Sequence, residues 1–374
     1  MKFLVLIIII TFTIGCNSDK INDFIELDKE DKVSIYDLID SISVVQLETK
    51  RESLIKTPCV LFHKNKYYVF DHDQQKVFCF DSNGKYLFKI DKKGRGGDEY
   101  SYAANMEIDT FNDMIMLLVP WGNLVCYDLN GKFISKIRLP ETIRSYNEVF
   151  SLDKDRLVFI SHFNNYKVFI YSRTTGNING FLPTTNDLDA VIPPIGKTYF
   201  YNDSLYFLNV GTETSLINLT DKTLRSVFKW DFGDKNYNEK QIDELVSNYK
   251  TYKKERRSGL SRDEMFRNNK FPRYYISSIS ESDKFRILRL HYKEWGGVKI
   301  NVFVDKTTDK KYVFRYTKEG IHFSGGIFYN KTFCSSVKTI SPEVKKIMSP
   351  EQLKIVDNHN PDIDNPYFIF YHFK

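Results

Sequence analysis

The sequence contains almost no alanine: only residues 103, 104 and 190 of its 374 carry it. Alanine is the strongest helix former, so its near absence excludes an ordinary helical bundle. Aromatic residues, in contrast, make up 15% of the chain, with 30 Phe and 24 Tyr, and these residues favour pleated, half-buried strands. Together with a hydrophobic share of 42%, this composition predicts a globular all-β protein with a substantial core.

Signatures of catalysis and of cofactor binding are also missing. The sequence has no GxSxG, HExxH, phosphate-binding glycine loop or dinucleotide fingerprint, and no CxxC pair or Cys/His spacing for a metal. The net charge of +6 is spread along the chain, without a basic stripe interleaved with aromatics. We therefore expect no cofactor, no metal and no nucleic-acid partner, and a binding role before an enzymatic one.

The N-terminus has the pattern of an exported bacterial protein. A basic start is followed by an apolar run over residues 3–14, then by Gly15 and Cys16. The apolar run is too short to span a bilayer comfortably. This order predicts a signal peptide over residues 1–15, with Cys16 as the lipidated first residue of the mature chain.

Lipidation of Cys16 implies that residues 16–41 form a tether to the membrane. The protein is then exported and held at the cell envelope, at the outer membrane, and it touches the membrane only through its lipid anchor. Thr13 stands where lipoprotein signals carry an aliphatic residue. A plain signal peptide that is cut at another position is therefore the alternative.

Four cysteines remain in the mature chain: Cys59, Cys79, Cys126 and Cys334. An even number of cysteines in an exported protein is compatible with disulfides. The repeat described next, however, puts Cys79 and Cys126 at equivalent positions of neighbouring units, and separates Cys59 from Cys79 by a whole strand. We expect buried, free thiols.

An internal repeat organises the mature chain. Residues 65–90 and 112–137 align without a gap at an offset of 47, and each unit contains three β-rich runs. An Asn-Gly pair precedes the third run in both units. Asn-Gly predicts a type I′ hairpin turn, in which both central residues have positive φ. Weaker copies cover residues 156–181, 204–230, 274–316 and 325–374.

The incomplete ends of the repeat predict a closed ring. The last unit lacks a fourth strand, while Ile42–Thr49 is a lone strand before the first full unit. If this strand completes the last unit, residues 42–374 form an all-β, six-bladed β-propeller of four-stranded antiparallel blades without open edges. A linear solenoid is the alternative, but it requires terminal caps.

The repeat units, the opening Gln46–Thr49, the connector Gly94–Tyr100 and the ending Asp364-Asn365-Pro366 resemble the six-bladed β-propeller lipoproteins of Gram-negative bacteria, which are related to NHL-repeat propellers. The resemblance covers nearly the whole mature chain and implies a propeller fold and export. Members of this group have no common reaction, so the resemblance assigns no catalytic residue.

The repeat also predicts a binding surface. If Pro58–His63 is the innermost strand of its blade, the loops between second and third strands share one face with the connectors between blades. Loops on a rigid scaffold often carry function, and exposed Trp, His and Arg residues often anchor binding. The alternative for each position is a turn or a packing role. The candidate binding residues are His72, Asp73, Arg95, Asp98, Glu99, Tyr100, Trp121, His162 and Trp295.

Two helical insertions are predicted on the same face. Residues 238–257 have the pattern of an amphipathic helix that ends in a basic cluster, and residues 341–356 contain two Ser-Pro-Glu helix starts. A basic helix end is favoured by the helix dipole alone, so the cluster is compatible with a solvated helix end as well as with an anion site. Both insertions could cap the mouth of the central channel.

These observations lead to two functional hypotheses. The first is an envelope-anchored binding module that recognises a glycan, a peptide or an envelope protein. It would do so through the loops that carry the candidate binding residues, and these loops would point away from the membrane. The alternative is a glycan-processing hydrolase or lyase at the mouth of the central channel. In that case His72, Asp73, His162 or Glu294 would carry the chemistry.

Overall fold

A computed structural model describes ten parts of the chain, and the structural statements below refer to these residues. They are residues 24–120, 122–140, 146–161, 164–184, 196–221, 223–255, 274–293, 297–323, 326–329 and 331–374.

The described residues form six four-stranded antiparallel sheets, which are the blades of a propeller. In chain order, β1 is Ile39–Gln46. Blade 1 contains β2 (Pro58–His63), β3 (Lys66–Asp71), β4 (Lys76–Asp81) and β5 (Tyr86–Ile90). Blade 2 contains β6 (Asn105–Asp109), β7 (Met114–Val119), β8 (Asn123–Asp128) and β9 (Phe133–Arg138). Blade 3 contains β10 (Tyr146–Ser151), β11 (Arg156–Ser161), β12 (Tyr166–Ser172) and β13 (Ile178–Pro183).

The second half of the ring follows the same order. Blade 4 contains β14 (Thr198–Tyr201), β15 (Ser204–Asn209), β16 (Thr214–Asn218) and β17 (Ser226–Trp230). Blade 5 contains β18 (Tyr274–Glu281), β19 (Phe285–Tyr292), β20 (Ile300–Asp305) and β21 (Lys311–Phe314). Blade 6 contains β22 (Gly326–Tyr329), β23 (Thr332–Val337) and β24 (Tyr367–Phe373), and β1 is its fourth strand.

Pairing of β1 with β24 closes the ring. The two strands are antiparallel, with Ile42 opposite Tyr371, Val44 opposite Ile369 and Gln46 opposite Tyr367. The strand thus begins at Ile39, three residues before the start at Ile42 that the sequence predicted. The all-β fold, the six blades and closure by the N-terminal strand are confirmed.

The core lies between the blades. Six hydrophobic clusters occur in the described chain, and each joins two neighbouring blades, including blade 6 to blade 1. Because both faces of a blade are covered, the middle strands are apolar on both sides: all but the first residue of β7 are buried. Strands that are buried on both faces have continuous apolar runs rather than strict alternation.

The Asn-Gly turns differ from the prediction. Gly84 and Gly131 have φ of +80° and +84°, whereas the Asn before each has a negative φ. In both turns the Gly N–H donates to the carbonyl of the preceding Asp, at position 81 or 128, and the N–H of that Asp donates to the carbonyl of the Lys after the Gly. The fourth strand of each blade then has one extra residue, Leu87 or Ile134, relative to the third strand. These features are typical of a three-residue loop with a G1 bulge, not of a type I′ turn. Paired positive φ values occur instead between the first and second strands, at Lys64-Asn65 and Asn202-Asp203.

In the described parts of the chain, four helices accompany the strands: α1 (Ile35–Leu38), α2 (Glu239–Glu255), α3 (Pro342–Lys345) and α4 (Pro350–Asp357). Two 3-10 turns lie at Arg51–Ser53 and Gly233–Lys235. Ser341 and Ser349 cap α3 and α4 by accepting hydrogen bonds from backbone N–H groups, with Pro at the first helical turn of each. Both predicted insertions are therefore helical, as their caps indicated.

The cysteines are free thiols, as the repeat predicted. Cys79, Cys126 and Cys334 are buried, and Cys59 is partly buried on the innermost strand of blade 1. Burial raises the pKa of Cys79 to about 12 and that of Cys126 to about 11. These thiols are therefore unreactive at neutral pH.

The segment before β1 is packed, although residues 16–41 were predicted as a tether. Ile25, Leu27, Val33 and Ile35 are buried. The backbone N–H of Ile25 donates to Asp231 O, which follows the last strand of blade 4, and that of Asp31 donates to Val313 O in β21. The chain therefore crosses the outer edge of blade 5 before it enters the ring at β1.

This path corrects the predicted orientation. The side chain of Asp28 accepts hydrogen bonds from Tyr292 and Lys293, at the end of β19 where the loop to β20 begins. The first described residues thus lie beside the candidate loops, and only α1 and the start of β1 lie at the opposite face. The N-terminal segment therefore approaches the ring from the side of the candidate loops and not, as predicted, from the opposite face.

One asparagine stabilises the junction where the ring closes. Asn365, which is 1% exposed, accepts a hydrogen bond from Ile55 N–H through Oδ1 at 2.9 Å. Its Nδ2 donates to Glu48 O at 3.0 Å and to Ser53 O at 2.9 Å. The side chain therefore ties the loop before β24 to the connector between blade 6 and blade 1.

Asn365→Ala should destabilise the protein by about 2–4 kcal/mol, because it leaves the buried Ile55 N–H and Ser53 O without these partners and removes one of the two hydrogen bonds to Glu48 O. Urea unfolding of the purified protein measures the change. Asn358→Ala, at an exposed asparagine that follows α4, is the matched control and should cost less than about 0.5 kcal/mol. Equal stability of the two variants would show that the junction does not depend on Asn365.

Candidate functional site

The candidate residues belong to a face that we call the loop face. It is formed by the loops between second and third strands and by the connectors between blades. In blades 1 and 2 the two kinds of segment touch: Tyr100 OH donates to Gln75 O at 2.5 Å, and Ala103 N–H donates to the Gln75 side chain at 2.7 Å. The loop that contains His72 and the connector Gly94–Tyr100 therefore lie together.

Several predicted residues lie outside the described parts of the chain. These are Trp121, His162, Glu294, Trp295 and the lipidation candidate Cys16. Their roles stay predictions.

The Gly94–Tyr100 connector is held by hydrogen bonds within itself and by Tyr127 and Lys136 of blade 2, which donate to its backbone carbonyls. Glu99 accepts from Gly96 N–H at 2.7 Å, and Asp98 pairs with Lys92 at 2.7 Å. Tyr100 is 0% exposed and packs in the cluster between blades 1 and 2, so it holds the connector in place rather than facing solvent. Arg95 is exposed and makes no hydrogen bond or ion pair with the described residues, which leaves its guanidinium available to a ligand.

The His72 loop is shaped by a buried neighbour. Asp71 accepts hydrogen bonds from the backbone N–H groups of Lys56, Asp73 and Gln74. Burial opposes ionisation of Asp71, but these hydrogen bonds, led by that of Gln74, keep its pKa below the ordinary value. Burial also lowers the pKa of His72, against the opposing effect of Asp71 and Asp73. Asp71 therefore has a structural role, and His72 is neutral at pH 7.

A groove of ≈ 700 Å³ crosses the loop face between blades 3 and 4. Helix α2 forms one wall, because Ile242, Leu245 and Val246 pack into the cluster between blades 4 and 5. The predicted loop residues Gly211 and Thr212 form part of the opposite wall.

The groove has an apolar floor, an acidic rim and one lysine, Lys167, whose Nζ donates to Asn209 Oδ1 at 2.8 Å. Val210 and Ile242 are buried in it. Glu213, Glu239 and Asp243 line it and are exposed, and Glu213 pairs with Lys229 at 2.7 Å. The arrangement suits a ligand with both apolar and basic groups.

Two carboxyl groups that the sequence analysis missed occupy the central channel. Glu107 in β6 is 8% exposed, and Glu148 in β10 is partly buried. Both are the third residue of the innermost strand of their blade. Glu148 accepts from Gly196 N–H at 2.8 Å, while its other oxygen has no partner among the described residues. The sequence contained one signal for these channel residues: a Glu lies within a short strand that opens a repeat unit.

The enclosed channel shifts the pKa of both groups. Burial raises the pKa of Glu107 to about 8; the Ile108 N–H lowers it, while neighbouring Glu148 and Asp109 raise it further. Burial raises the pKa of Glu148 to about 7, against the effect of the Gly196 N–H and of Lys197. At neutral pH Glu107 is therefore mostly a neutral acid, which can donate a hydrogen bond.

Glu107→Gln should change how stability depends on pH. Between the ordinary pKa of 4.5 and about 8, the folded protein binds more protons at Glu107 than the unfolded chain, so the wild type loses stability as the pH rises. The variant lacks this titration, so its stability relative to the wild type should increase from pH 5 to pH 8, by on the order of 1–3 kcal/mol. Denaturant unfolding at both pH values tests this. A difference that is independent of pH would contradict it.

Among the described residues, no group of three or more His, Cys, Asp and Glu side chains has an arrangement that could hold a metal ion. None of the helices in those parts of the chain combines the length and the apolar character that a membrane span requires.

Comparison with known proteins agrees with the fold. The profile of a family described as "Domain of unknown function (DUF4934)" matches residues 19–370. No curated protein sequence matches the chain.

Two solved structures share the architecture. One is a protein of Bacteroides fragilis NCTC 9343 that is described as an exported protein. Its structure superposes with a TM-score of 0.72 and its sequence is 13% identical, over 92% of this chain and 98% of that one. The other is a member of the DUF4221 family from Bacteroides vulgatus ATCC 8482, with a TM-score of 0.50 and 12% identity, over 92% and 99%. These likenesses support the propeller; lipidation and a relation to NHL repeats stay predictions.

Proposed function

Because the chain belongs to the DUF4934 family and forms a six-bladed propeller, we propose that it is an exported binding module whose loop face binds a polypeptide segment of an envelope protein. The observation that carries this proposal is the groove of ≈ 700 Å³ beside α2. Propellers present loops on a rigid scaffold, and such loops are common binding surfaces.

The chemistry of the groove favours a peptide with basic and apolar side chains. Its floor offers Val210 and Ile242, and its rim offers the carboxylates of Glu239 and Asp243. A polymer can also reach the connector between blades 1 and 2, where Arg95 is exposed. A macromolecular ligand fits this distribution better than a single small molecule, because the features lie on different blades.

The lipid anchor sets the orientation of the module. Nine residue steps separate Cys16 from Ile25, which is packed at the loop-face edge, so the lipid lies within about 32 Å of that edge. The loop face would then lie close to the membrane surface, where segments of other envelope proteins are accessible.

Reversal of the groove charge should abolish peptide binding. Glu239→Lys with Asp243→Lys should weaken binding of a basic, apolar peptide library at least about tenfold, because charge repulsion replaces attraction at the rim. Glu244→Lys, on the same helix but outside the groove, is the matched control and should bind as the wild type does. Array binding or fluorescence anisotropy measures the effect. Equal loss in both variants, or binding of glycans alone by the loop face, would refute the peptide proposal.

Replacement of Cys16 tests the anchor. Cys16→Ser should move the protein from the membrane fraction to the soluble envelope fraction, because the acylated residue is lost. Detergent phase partitioning of cell extracts shows the shift, with Ser18→Ala as the control. Unchanged partitioning of Cys16→Ser would indicate a plain signal peptide that is cut elsewhere.

The raised pKa values in the channel favour a glycan-processing hydrolase or lyase as a second candidate. An acid with a pKa near 8 can protonate a leaving group at neutral pH. In that case Glu107 and Glu148, rather than His72 and Asp73, would carry the chemistry. This candidate requires turnover: release of reducing ends from a polysaccharide, lost in Glu107→Gln, would support it.

A further inference from the structure

A second cavity lies at the other end of the molecule. Its volume is ≈ 560 Å³, and it opens on the face opposite the loop face. Its walls come from four blades: the loop after β6, the end of β10, the turn between β14 and β15, and the start of β23. Glu107 lines it from within the channel. The volume is in the range of small-molecule sites.

Buried polar groups in this cavity have unused hydrogen-bonding capacity. Ser151 is 3% exposed, and its Oγ has no hydrogen-bond partner among the described residues. Glu107 is 8% exposed, and the Ile108 N–H donates a hydrogen bond to its carboxyl. A buried polar group without a partner costs about 1–3 kcal/mol, which a ligand with hydroxyl groups would offset.

Aromatic side chains form the wall nearer to solvent. Phe111, in the loop after β6, is 41% exposed beside the cavity. Phe200 and Tyr201, at the end of β14, also line the cavity. Phe200 packs toward blade 3, whereas the ring of Tyr201 is covered by Lys306, whose Nζ lies 4.2 Å from the ring centroid. Phe200 is fixed by an edge-to-face contact with Phe150 at 6.1 Å between ring centroids. Rigid aromatic rings beside hydrogen-bonding groups form an amphipathic surface.

The charges around the cavity are largely compensated. Lys331 pairs with Asp283 at 2.6 Å, and Lys306 pairs with Glu281 at 2.9 Å. Tyr201 OH donates to Asp283 at 3.1 Å and accepts from Lys306 at 2.9 Å. Since the cations have carboxylate partners, the cavity lacks the excess positive charge that a phosphate or a carboxylate ligand requires.

We propose that this cavity binds a neutral sugar residue, with the exposed ring of Phe111 against a C–H face of the sugar and Glu107 and Ser151 hydrogen-bonded to its hydroxyls. This site is distinct from the groove for a polypeptide on the loop face and does not rest on that proposal. A single sugar residue at the end of a glycan fits the volume, while the rest of the glycan would extend into solvent from the open mouth.

Calorimetric titration of the purified full chain with glucose, galactose and N-acetylglucosamine tests the proposal. At least one neutral sugar should bind with a Kd of about 1 mM or tighter. Phe111→Ala should weaken binding at least about tenfold, because it removes the exposed ring. Tyr36→Ala, at an aromatic residue that is 58% exposed and lies outside the cavity, is the matched control and should change the Kd less than about twofold.

Variants at the floor separate hydrogen bonding from packing. Glu107→Gln keeps a neutral donor and acceptor and should retain the affinity within about threefold, whereas Glu107→Leu should lose at least about tenfold. Thermal unfolding checks that each variant is folded. If Glu107→Leu does not fold, the exposed position Phe111 still decides the question.

Glucuronate and inorganic phosphate serve as charged probes. Binding of these probes without binding of a neutral sugar would overturn the proposal, as would the absence of any sugar binding at about ten times the expected Kd. Sugar binding that persists unchanged in both Phe111→Ala and Glu107→Leu would place the sugar elsewhere and overturn it as well.

Discussion

Closure of the ring by β1 is the constraint on which the rest of the structure depends. The third strand of a blade has an unpaired edge until a fourth strand pairs with it, and here the fourth strand of blade 6 comes from the other end of the chain. The register from Ser41 to Gln46 against β24 fixes both ends in one sheet. Asn365 then joins this sheet to the connector that leads into blade 1.

The closed ring also determines the chemistry of the channel. Six innermost strands surround it, and a carboxyl on one of them loses solvent on all sides at once. Glu107 and Glu148 therefore ionise with difficulty, although neither residue would be unusual on an open sheet. The same enclosure leaves Ser151 without a hydrogen-bond partner among the described residues. Such groups destabilise an empty site and favour one that holds a ligand.

The two faces of the propeller differ in character. The loop face has long connectors, a helical insertion and a groove with an acidic rim, which suit a polymer. The opposite face has short turns, such as Asn202-Asp203 with its paired positive φ values, and these shape a compact cavity. The N-terminal segment joins the two faces along blade 5, and its first described residues lie on the side of the loop face.

The amino-acid sequence by itself determined the class, the repeat, the number of blades and the caps of α3 and α4, because these depend on local periodicity and on residues close in the chain. The sequence also predicted that the cysteines are free thiols, since Cys79 and Cys126 lie on equivalent strands of neighbouring blades. It did not reveal that Tyr100 packs inside, that the segment around Asp28 returns to the loop face, or that Glu107 and Ser151 share a cavity with Tyr201. Those facts depend on contacts between residues far apart in the chain, which exist only when the ring is closed. Burial and pKa are properties of that closed arrangement, and no local pattern encodes them.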